Sequence, residues 1–172
     1  MNKLLYHFFT EDHHRIGGLL DKAIERTDEI KTEYYYQFRK GLLRHIKMEE
    51  KTLFPAALKA NKEVTLKLIP RYRCEHGALT ALMVPPPTPS LIKVIRYVLE
   101  RHDIAEEALG GLYDVCETLT QGQTRELLKQ LAKTPEVPVH PPNPAPFALE
   151  SAKRSLERAG YDFDAIIGSS IE

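Results

Sequence analysis

The sequence predicts an all-α protein, an up-down-up-down four-helix bundle with extra C-terminal helices. Apolar residues recur at intervals of three and four up to about residue 133, whereas the alternation typical of β-strands is nearly absent. Four such segments are joined by short links, which favours a bundle. A chain of 172 residues is long enough for one bundle with an appended segment.

The first four helices are assigned from the apolar stripes and the residues that break them. Helix A is predicted over residues 3–30, helix B over 32–60, helix C over 70–83 and helix D over 89–121. Residues 61–70 are expected to form a turn and a short helical lead-in. Pro70 suits the first turn of helix C, because proline lacks only an N–H that is unpaired there. The run VPPPTPS ends helix C, and Thr88 caps helix D with Pro89 at its first position.

The C-terminal part is predicted to be an appendage. The segment TRELLKQLAK forms a fifth, short helix, so the bundle domain spans 1–133 and the appendage 134–172. The run TPEVPVHPPNPAP predicts an extended polyproline-type arm. The last amphipathic helix, FALESAKRSLERAG, has Phe147 and Leu156 on its apolar side and Gly160 as its stop. The arm either folds back over the bundle or crosses to a second copy, so a monomer and a homodimer both stay open.

Composition and charge exclude several classes of protein. Basic and acidic residues balance at 24 each, so no basic surface for nucleic acid or an anionic membrane is expected. No apolar stretch approaches membrane-spanning length, and the start MNKLLYHFFTEDHH lacks the features of a signal peptide. Cys74 and Cys116 show no CxxC spacing. The expectation is a cytoplasmic protein with no nucleic-acid or membrane partner.

Two segments, RHIKMEEKTLFP and RHDIAEE, repeat a histidine followed four residues later by a glutamate. Four residues on a helix advance about 400°, so His45 and Glu49 share one face, as do His102 and Glu106. Both pairs lie on the apolar stripe of their helix. A carboxylate buried there without a partner would cost several kcal/mol or become protonated, so a bound metal is one way to satisfy it.

The other two long helices each add one inward histidine, His13 on helix A and His76 on helix C. The intervals from His13 to His45, then to His76 and then to His102 are 32, 31 and 26 residues. Such similar intervals place four histidines at one height of an antiparallel bundle. The predicted ligands are His13, His45, Glu49, His76, His102 and Glu106. They suit two metal ions bridged by the glutamates, and ligands without thiolate favour iron, then manganese or zinc.

A simpler interpretation needs no metal. A histidine and a glutamate four residues apart can be a surface ion pair, and an inward histidine can be hydrogen-bonded within a core. This interpretation requires a separate partner for each of the buried polar groups.

The four motifs together resemble the hemerythrin-like proteins, in particular the HHE cation-binding branch. That family has His, His-x-x-x-Glu, His and His-x-x-x-Glu on four successive helices. The matching segments are EDHHRIGGLL, LRHIKMEEKTLFP, CEHGAL and ERHDIAEEAL, within about residues 4–120. The resemblance implies an oxo- or hydroxo-bridged di-iron centre held by the six residues. A small diatomic molecule or peroxide is its expected ligand.

The chain departs from the oxygen-carrying members on helix C. Those members have a second histidine four residues from the first, and here the two possible positions hold Tyr72 and Thr80. The loss of a ligand changes the open coordination and counts against simple oxygen carriage. Tyr72 is either a core residue or a phenol with a role beside iron. Glu107 is a rival to Glu106, but it lies about 140° from the His102 face.

The leading hypothesis is a non-haem di-iron protein that handles or senses oxygen, nitric oxide, peroxide or iron. The alternative is an enzyme, either a di-iron oxidase or peroxidase or an iron-centre repair enzyme in a stress response. A ferritin-like oxidase needs Glu-x-x-His on two helices. The single instance, from Glu11 to His14, lies on the polar face. A bundle that binds other proteins and no metal is a further possibility.

Overall fold

The computed structural model describes residues 3–25 and 29–169. These residues form helices and connections without a β-strand, which confirms the all-α class. The helices are α1 (Leu4–Ala23), α2 (Thr32–Met48), a π-helical turn (Glu49–Leu53), α3 (Phe54–Ala60), α4 (Lys62–Leu82), α5 (Pro89–Glu107), α6 (Leu112–Thr120), α7 (Thr124–Ala132), α8 (Pro146–Arg158) and α9 (Phe163–Gly168). Within the described part of the chain, no helix combines the length and apolar character needed to cross a membrane.

Helix α1 is shorter than predicted, and its first turn is stabilised by α6. The helix ends at Ala23, and residues 26–28 of the prediction lie outside the described residues. Its N-terminal residues have no local side-chain cap. Instead, the buried Glu117 carboxylate accepts from the N–H groups of Leu5 and Tyr6 at 2.7 and 3.1 Å. A carboxylate there pairs free N–H groups and interacts favourably with the helix dipole, so α6 is attached firmly to α1.

Residues 32–60, predicted as helix B, are helical throughout, but a π-helical turn interrupts the α-helical pattern between α2 and α3. The Phe54 N–H donates to the carbonyl of Glu49, five residues back. Pro55 follows and has no N–H with which to continue the α-helical pattern into this turn. Turns of this kind are frequent at functional sites. Here the turn begins at one of the predicted metal ligands.

The predicted start of helix C at Pro70 was wrong, because the helical lead-in expected before it is part of the same helix. Helix α4 begins at Lys62, where the side chain of Asn61 accepts from the N–H of Val64 at 3.1 Å. Asparagine is among the preferred N-cap residues. Pro70 lies inside α4 on its exposed face. The carbonyl that loses its N–H partner there can be hydrated, so the helix continues through the proline.

The predicted helix over 89–121 is divided into α5 and α6. Gly110 in the intervening turn has a φ of 75°, a left-handed conformation that glycine adopts without steric cost. A Cβ atom on Gly111 would lie 2.5 Å from the carbonyl oxygen of Ala105, so the start of α6 requires glycine for close approach. Leu109, seven residues after His102 and so on the same face of a continuous helix, is 93% exposed in this turn. The chain therefore changes direction directly after Glu106 and Glu107.

The proline-rich arm lies along the bundle of its own chain. Arg39 donates to the carbonyl of His140 at 2.9 Å, and the N–H of Asn143 donates to the carbonyl of Val84 at 2.8 Å. After the arm, α8 packs against α4, and α9 packs against α5. The division of the chain at residue 133 stays a prediction.

The tail contains one helix that was not predicted. Helix α9 is capped by Asp162, whose carboxylate accepts from the N–H of Ala165 at 2.7 Å. Helix α8 ends before Gly160, which has a φ of 90°, as its place in the sequence predicted. The face of α8 that is buried consists of Ala148, Ala152 and Leu156. Phe147, expected on that face, is 63% exposed.

The buried apolar side chains form two clusters along the bundle, with polar residues between them. On α1, His13 lies between Phe9 of one cluster and Ile16 of the other. The same alternation recurs on α2 and α4, where His45 and His76 separate members of the two clusters. The inward histidines are therefore enclosed by apolar packing above and below.

Candidate metal centre

The structure brings the six residues predicted as metal ligands into one buried cluster. Potential ligand atoms of Glu49, His76, His102 and Glu106 lie within 4.8 Å of one another. The same limit holds for His13, His45 and Glu106. Glu106 belongs to both groups, so the two groups share a common centre. All six residues are buried.

Each of the two glutamates lies between imidazoles from different helices. One oxygen of Glu49 is 3.5 Å from Nε2 of His45, and the other is 3.0 Å from Nε2 of His76. Glu106 likewise faces Nε2 of His13 at 3.3 Å with one oxygen and Nε2 of His102 at 3.2 Å with the other. A carboxylate whose two oxygens face nitrogens of two different histidines is suited to bridge two cations.

An outer set of carboxylates, missed by sequence reasoning, contacts the other nitrogen of every imidazole. The contacts from Nδ1 are His13 to Glu107 at 2.7 Å, His45 to Asp12 at 2.9 Å, His76 to Glu50 at 2.9 Å, and His102 to Glu75 at 2.7 Å. An imidazole that donates its Nδ1–H outward keeps the Nε2 lone pair directed inward. These four outer carboxylates therefore hold the imidazoles in the orientation that a metal requires.

A sequence signal for the outer carboxylates exists, although it does not identify their partners. Each is the immediate chain neighbour of a predicted ligand, as Asp12 is of His13 and Glu75 is of His76. Each contacts a histidine on a different helix, so Asp12 of α1 pairs with His45 of α2. Glu107, the former rival to Glu106, belongs to this outer set.

Aromatic rings surround the imidazoles. Phe54 stacks on His76 with centroids 5.8 Å apart, and Phe9 lies edge-on to His45 at 5.5 Å. Tyr72 lies edge-on to His102 at 5.7 Å, but its hydroxyl donates to the carbonyl of Ala105 at 3.0 Å. Tyr72 therefore packs as a core residue with its hydroxyl bonded to the backbone. The rings exclude water and strengthen the electrostatic interactions within the cluster.

A different tyrosine, Tyr113 of α6, places its hydroxyl in the middle of the cluster. The hydroxyl oxygen lies 2.7 Å from Glu49 and 2.8 Å from Glu106, so its O–H can donate to either carboxylate. It also lies 2.9 Å from Nε2 of His13 and 3.3 Å from Nε2 of His45. On a continuous helix over 89–121, Tyr113 would lie on the apolar face of His102, eleven residues earlier. Its true position depends on the turn between α5 and α6, which sequence periodicity did not predict.

The cluster holds strong opposing charges. Burial alone lowers the pKa of His13 and His76, but hydrogen bonds and charge interactions with the neighbouring carboxylates outweigh it and raise these values to about 10 and about 9. Burial and the charge of Glu49 raise the pKa of Glu106, yet the histidines, His102 first, lower it to about 2. Burial raises the pKa of Asp103, whose carboxylate lies 3.7 Å from Nε2 of His13, to about 6. Without a metal, the cluster is therefore a network of imidazolium and carboxylate groups.

The bonding of several buried atoms indicates whether a cation fits this cluster. Nε2 of His76 lies 3.0 Å from Oε2 of Glu49, and Oε1 of Glu106 lies 3.2 Å from Nε2 of His102. Despite this proximity, Nε2 of His76 and both of these carboxylate oxygens have no partner in hydrogen-bonding geometry among the described residues. Nε2 of His13 and Nε2 of His45 face each other at 3.1 Å, so a proton or cation must separate their lone pairs. Unpaired buried polar atoms are unfavourable and rare. Nitrogen and oxygen atoms in this arrangement fit a transition-metal cation.

In the metal-free chain, the free energy of unfolding should fall as the pH rises from about 6.5 to about 10. The folded-state pKa values of His13 and His76 are above the ordinary value of 6.5. Their stabilisation is therefore complete below the unfolded-state pKa and is lost as the pH passes the folded-state values. Urea unfolding of chelator-treated protein should show a loss of at least about 1 kcal/mol across this window. The variant His14→Gln, changed on the exposed face, should show the same decrease. A flat or rising profile would contradict this account.

The fold and the cluster define a class: an all-helical protein with buried histidines and glutamates that could hold a metal. The family model of the hemerythrin HHE cation binding domain matches residues 4–84. The resemblance predicted from the sequence is confirmed over this range, in which the chain matches the model of that cation-binding family. No curated protein and no solved structure matches the chain. His102 and Glu106 lie beyond the matched residues, and the structure places them in the same cluster as His13, His45, Glu49 and His76.

Proposed function

We propose that the chain is a non-haem di-iron protein that handles or senses a small ligand such as oxygen, nitric oxide or peroxide. The observation that carries this proposal is the convergence of four imidazole Nε2 atoms around two buried glutamates. The outer carboxylates support it, because they direct every one of these nitrogens inward.

The proposed ligands divide into two halves. His13 and His45 would hold one ion, His76 and His102 would hold the other, and the two glutamates would bridge them. A donor set of nitrogen and oxygen without thiolate favours iron first, with manganese or zinc as the alternatives. Iron at such a site supplies reversible binding of a small ligand or one-electron chemistry with it.

The up-down-up-down order of the four long helices is part of the proposal. The outer contacts link α1 to α2, α2 to α4 through the π-helical turn, α4 to α5, and α5 back to α1. Through these contacts, each of the four long helices is linked to the next and the last is linked to the first. The short links between successive helices favour antiparallel directions for neighbouring helices. The return of the arm over its own bundle supports a monomer.

The residues around the ligands would control access and protons. The aromatic rings of Phe9 and Phe54 cover two of the imidazoles and keep water from the cluster. Asp103 has one buried oxygen near His13, while its side chain is 22% exposed. A carboxylate in this position can exchange protons between the cluster and solvent.

Metal analysis of protein produced with iron tests the proposed function. We expect about two irons per chain, the number that two groups of ligands sharing bridging carboxylates would hold. Absorption spectra before and after exposure to oxygen, nitric oxide and peroxide should change with the ligand that the iron binds. One tightly bound zinc in place of two irons would contradict the proposal. Sustained turnover of peroxide, absent from a His102→Ala variant, would instead indicate the enzyme alternative.

A further inference from the structure

We infer that Tyr113 is a seventh ligand of the metal pair, coordinating the ion held by His13 and His45 through its phenolic oxygen. The inference rests on the proposed function and adds a residue that lies outside the matched family range. It is carried by the position of a single oxygen atom inside the cluster.

The distances around the Tyr113 oxygen are those between neighbouring ligands of one cation. With metal–ligand bonds of about 2.1 Å, adjacent ligands of an octahedral ion lie about 3 Å apart. The Tyr113 oxygen lies 2.7 Å from Glu49, 2.8 Å from Glu106, 2.9 Å from His13 and 3.3 Å from His45. The two imidazole nitrogens are themselves 3.1 Å apart. The Tyr113 oxygen thus lies at the spacing of a neighbouring ligand from four atoms that belong to proposed ligands.

The surrounding structure fixes the phenol in this position. The ring of Phe9 stacks on Tyr113 with centroids 4.9 Å apart and an interplanar angle of 14°. Tyr6 packs edge-on to it at 6.4 Å and donates to the carbonyl of Glu107, which holds α1 to the end of α5. The close approach at Gly111 sets the start of α6, two residues before the tyrosine. Tyr113 is 1% exposed, so its oxygen has no access to bulk water as a substitute partner.

The two halves of the cluster differ in a way that agrees with this assignment. The Tyr113 oxygen lies within hydrogen-bonding distance of one oxygen of each glutamate. Both of these glutamate oxygens are on the side of His13 and His45. Among the proposed ligand atoms, those that lack a partner in hydrogen-bonding geometry lie on the side of His76 and His102: Nε2 of His76, Oε2 of Glu49 and Oε1 of Glu106. The half with Tyr113 thus has five protein ligands and the other half has four. A small exogenous ligand should therefore bind at the ion held by His76 and His102.

Coordination changes one covalent bond of the tyrosine. The phenolic O–H bond is lost, an oxygen–metal bond forms, and one proton is released to solvent. Metal binding at protein sites commonly releases protons in this way, because the coordinating atom must be free of its proton.

Vibrational and visible spectra of the iron-loaded, air-oxidised protein test the assignment. A phenolate bound to ferric iron gives a charge-transfer band in the visible region, and excitation into that band enhances the tyrosinate ring vibrations. Wild-type protein should show both features, and protein grown on ring-deuterated tyrosine should show shifted ring vibrations. Tyr113→Phe should lose both features and bind one of the two irons more weakly, by at least the about 10–100-fold that loss of an outer-shell partner costs.

Tyr72→Phe is the matched control, because Tyr72 is also buried beside an imidazole but directs its hydroxyl to a backbone carbonyl. This variant should keep the charge-transfer band. Two irons in the wild type without tyrosinate vibrations would overturn the assignment of Tyr113 and leave the proposed function intact. Retention of the band in a folded Tyr113→Phe variant would do the same. A wild-type chain without bound iron would overturn both.

Discussion

Replacing both Glu49 and Glu106 with alanine is expected to reduce bound iron from about two ions per chain to none. Each glutamate has one oxygen facing each pair of imidazoles, so the double change removes all four contacts between these two carboxylates and the imidazole Nε2 atoms. The imidazoles that remain would keep their outer carboxylates but would lose the Glu49 and Glu106 oxygens that face their Nε2 atoms. Metal analysis after gel filtration measures the loss.

Two exposed glutamates on the same helices provide the control for this experiment. Glu33 of α2 and Glu100 of α5 lie on the surface. Glu33→Ala combined with Glu100→Ala should keep the wild-type iron content. Circular dichroism should show helical content in both double variants. Full iron content in a folded Glu49→Ala, Glu106→Ala variant would refute the bridging role.

Replacing Phe9 with alanine should lower the free energy of unfolding by about 3–5 kcal/mol, the usual cost of removing a buried phenylalanine ring. Phe9 is fully buried, stacks on Tyr113 and contacts the edge of the His45 ring. The cavity left by its ring would remove support from both neighbours at once. Denaturant unfolding of metal-free protein measures the change without a contribution from metal binding.

The same substitution at Phe147 gives a direct comparison. The Phe147 side chain is 63% exposed at the start of α8. Phe147→Ala should change the free energy of unfolding by no more than about 0.5 kcal/mol. Equal losses at Phe9 and Phe147 would show that the apolar packing around the cluster is not a main source of stability.

The inner cluster could be predicted because helical periodicity relates sequence position to face. His45 and Glu49 share a face as residues four apart, and so do His102 and Glu106. Their apolar neighbours showed that this face is buried, and the structure places all of these residues inside. Local spacing was sufficient here, since each pair lies within one or two turns of a single helix.

The outer carboxylates and Tyr113 were missed because their contacts join distant parts of the chain. The contact from Asp12 to His45 spans 33 residues, and the contact from Tyr113 to His13 spans 100. Periodicity on one helix gives no information on which neighbouring helix faces it. The turn that places Tyr113 also depends on close backbone approach at Gly111, which a helical pattern does not reveal.

By itself, the sequence determined that the chain is helical and that four histidines and two glutamates face inward, because side-chain direction on a helix follows from residue spacing. Only the tertiary structure decided which carboxylate orients each imidazole and which phenol enters the cluster. Those choices depend on the relative rotation and height of packed helices. The rotation and the height of each helix depend on contacts between side chains that are distant along the chain, and a local sequence pattern does not show these contacts.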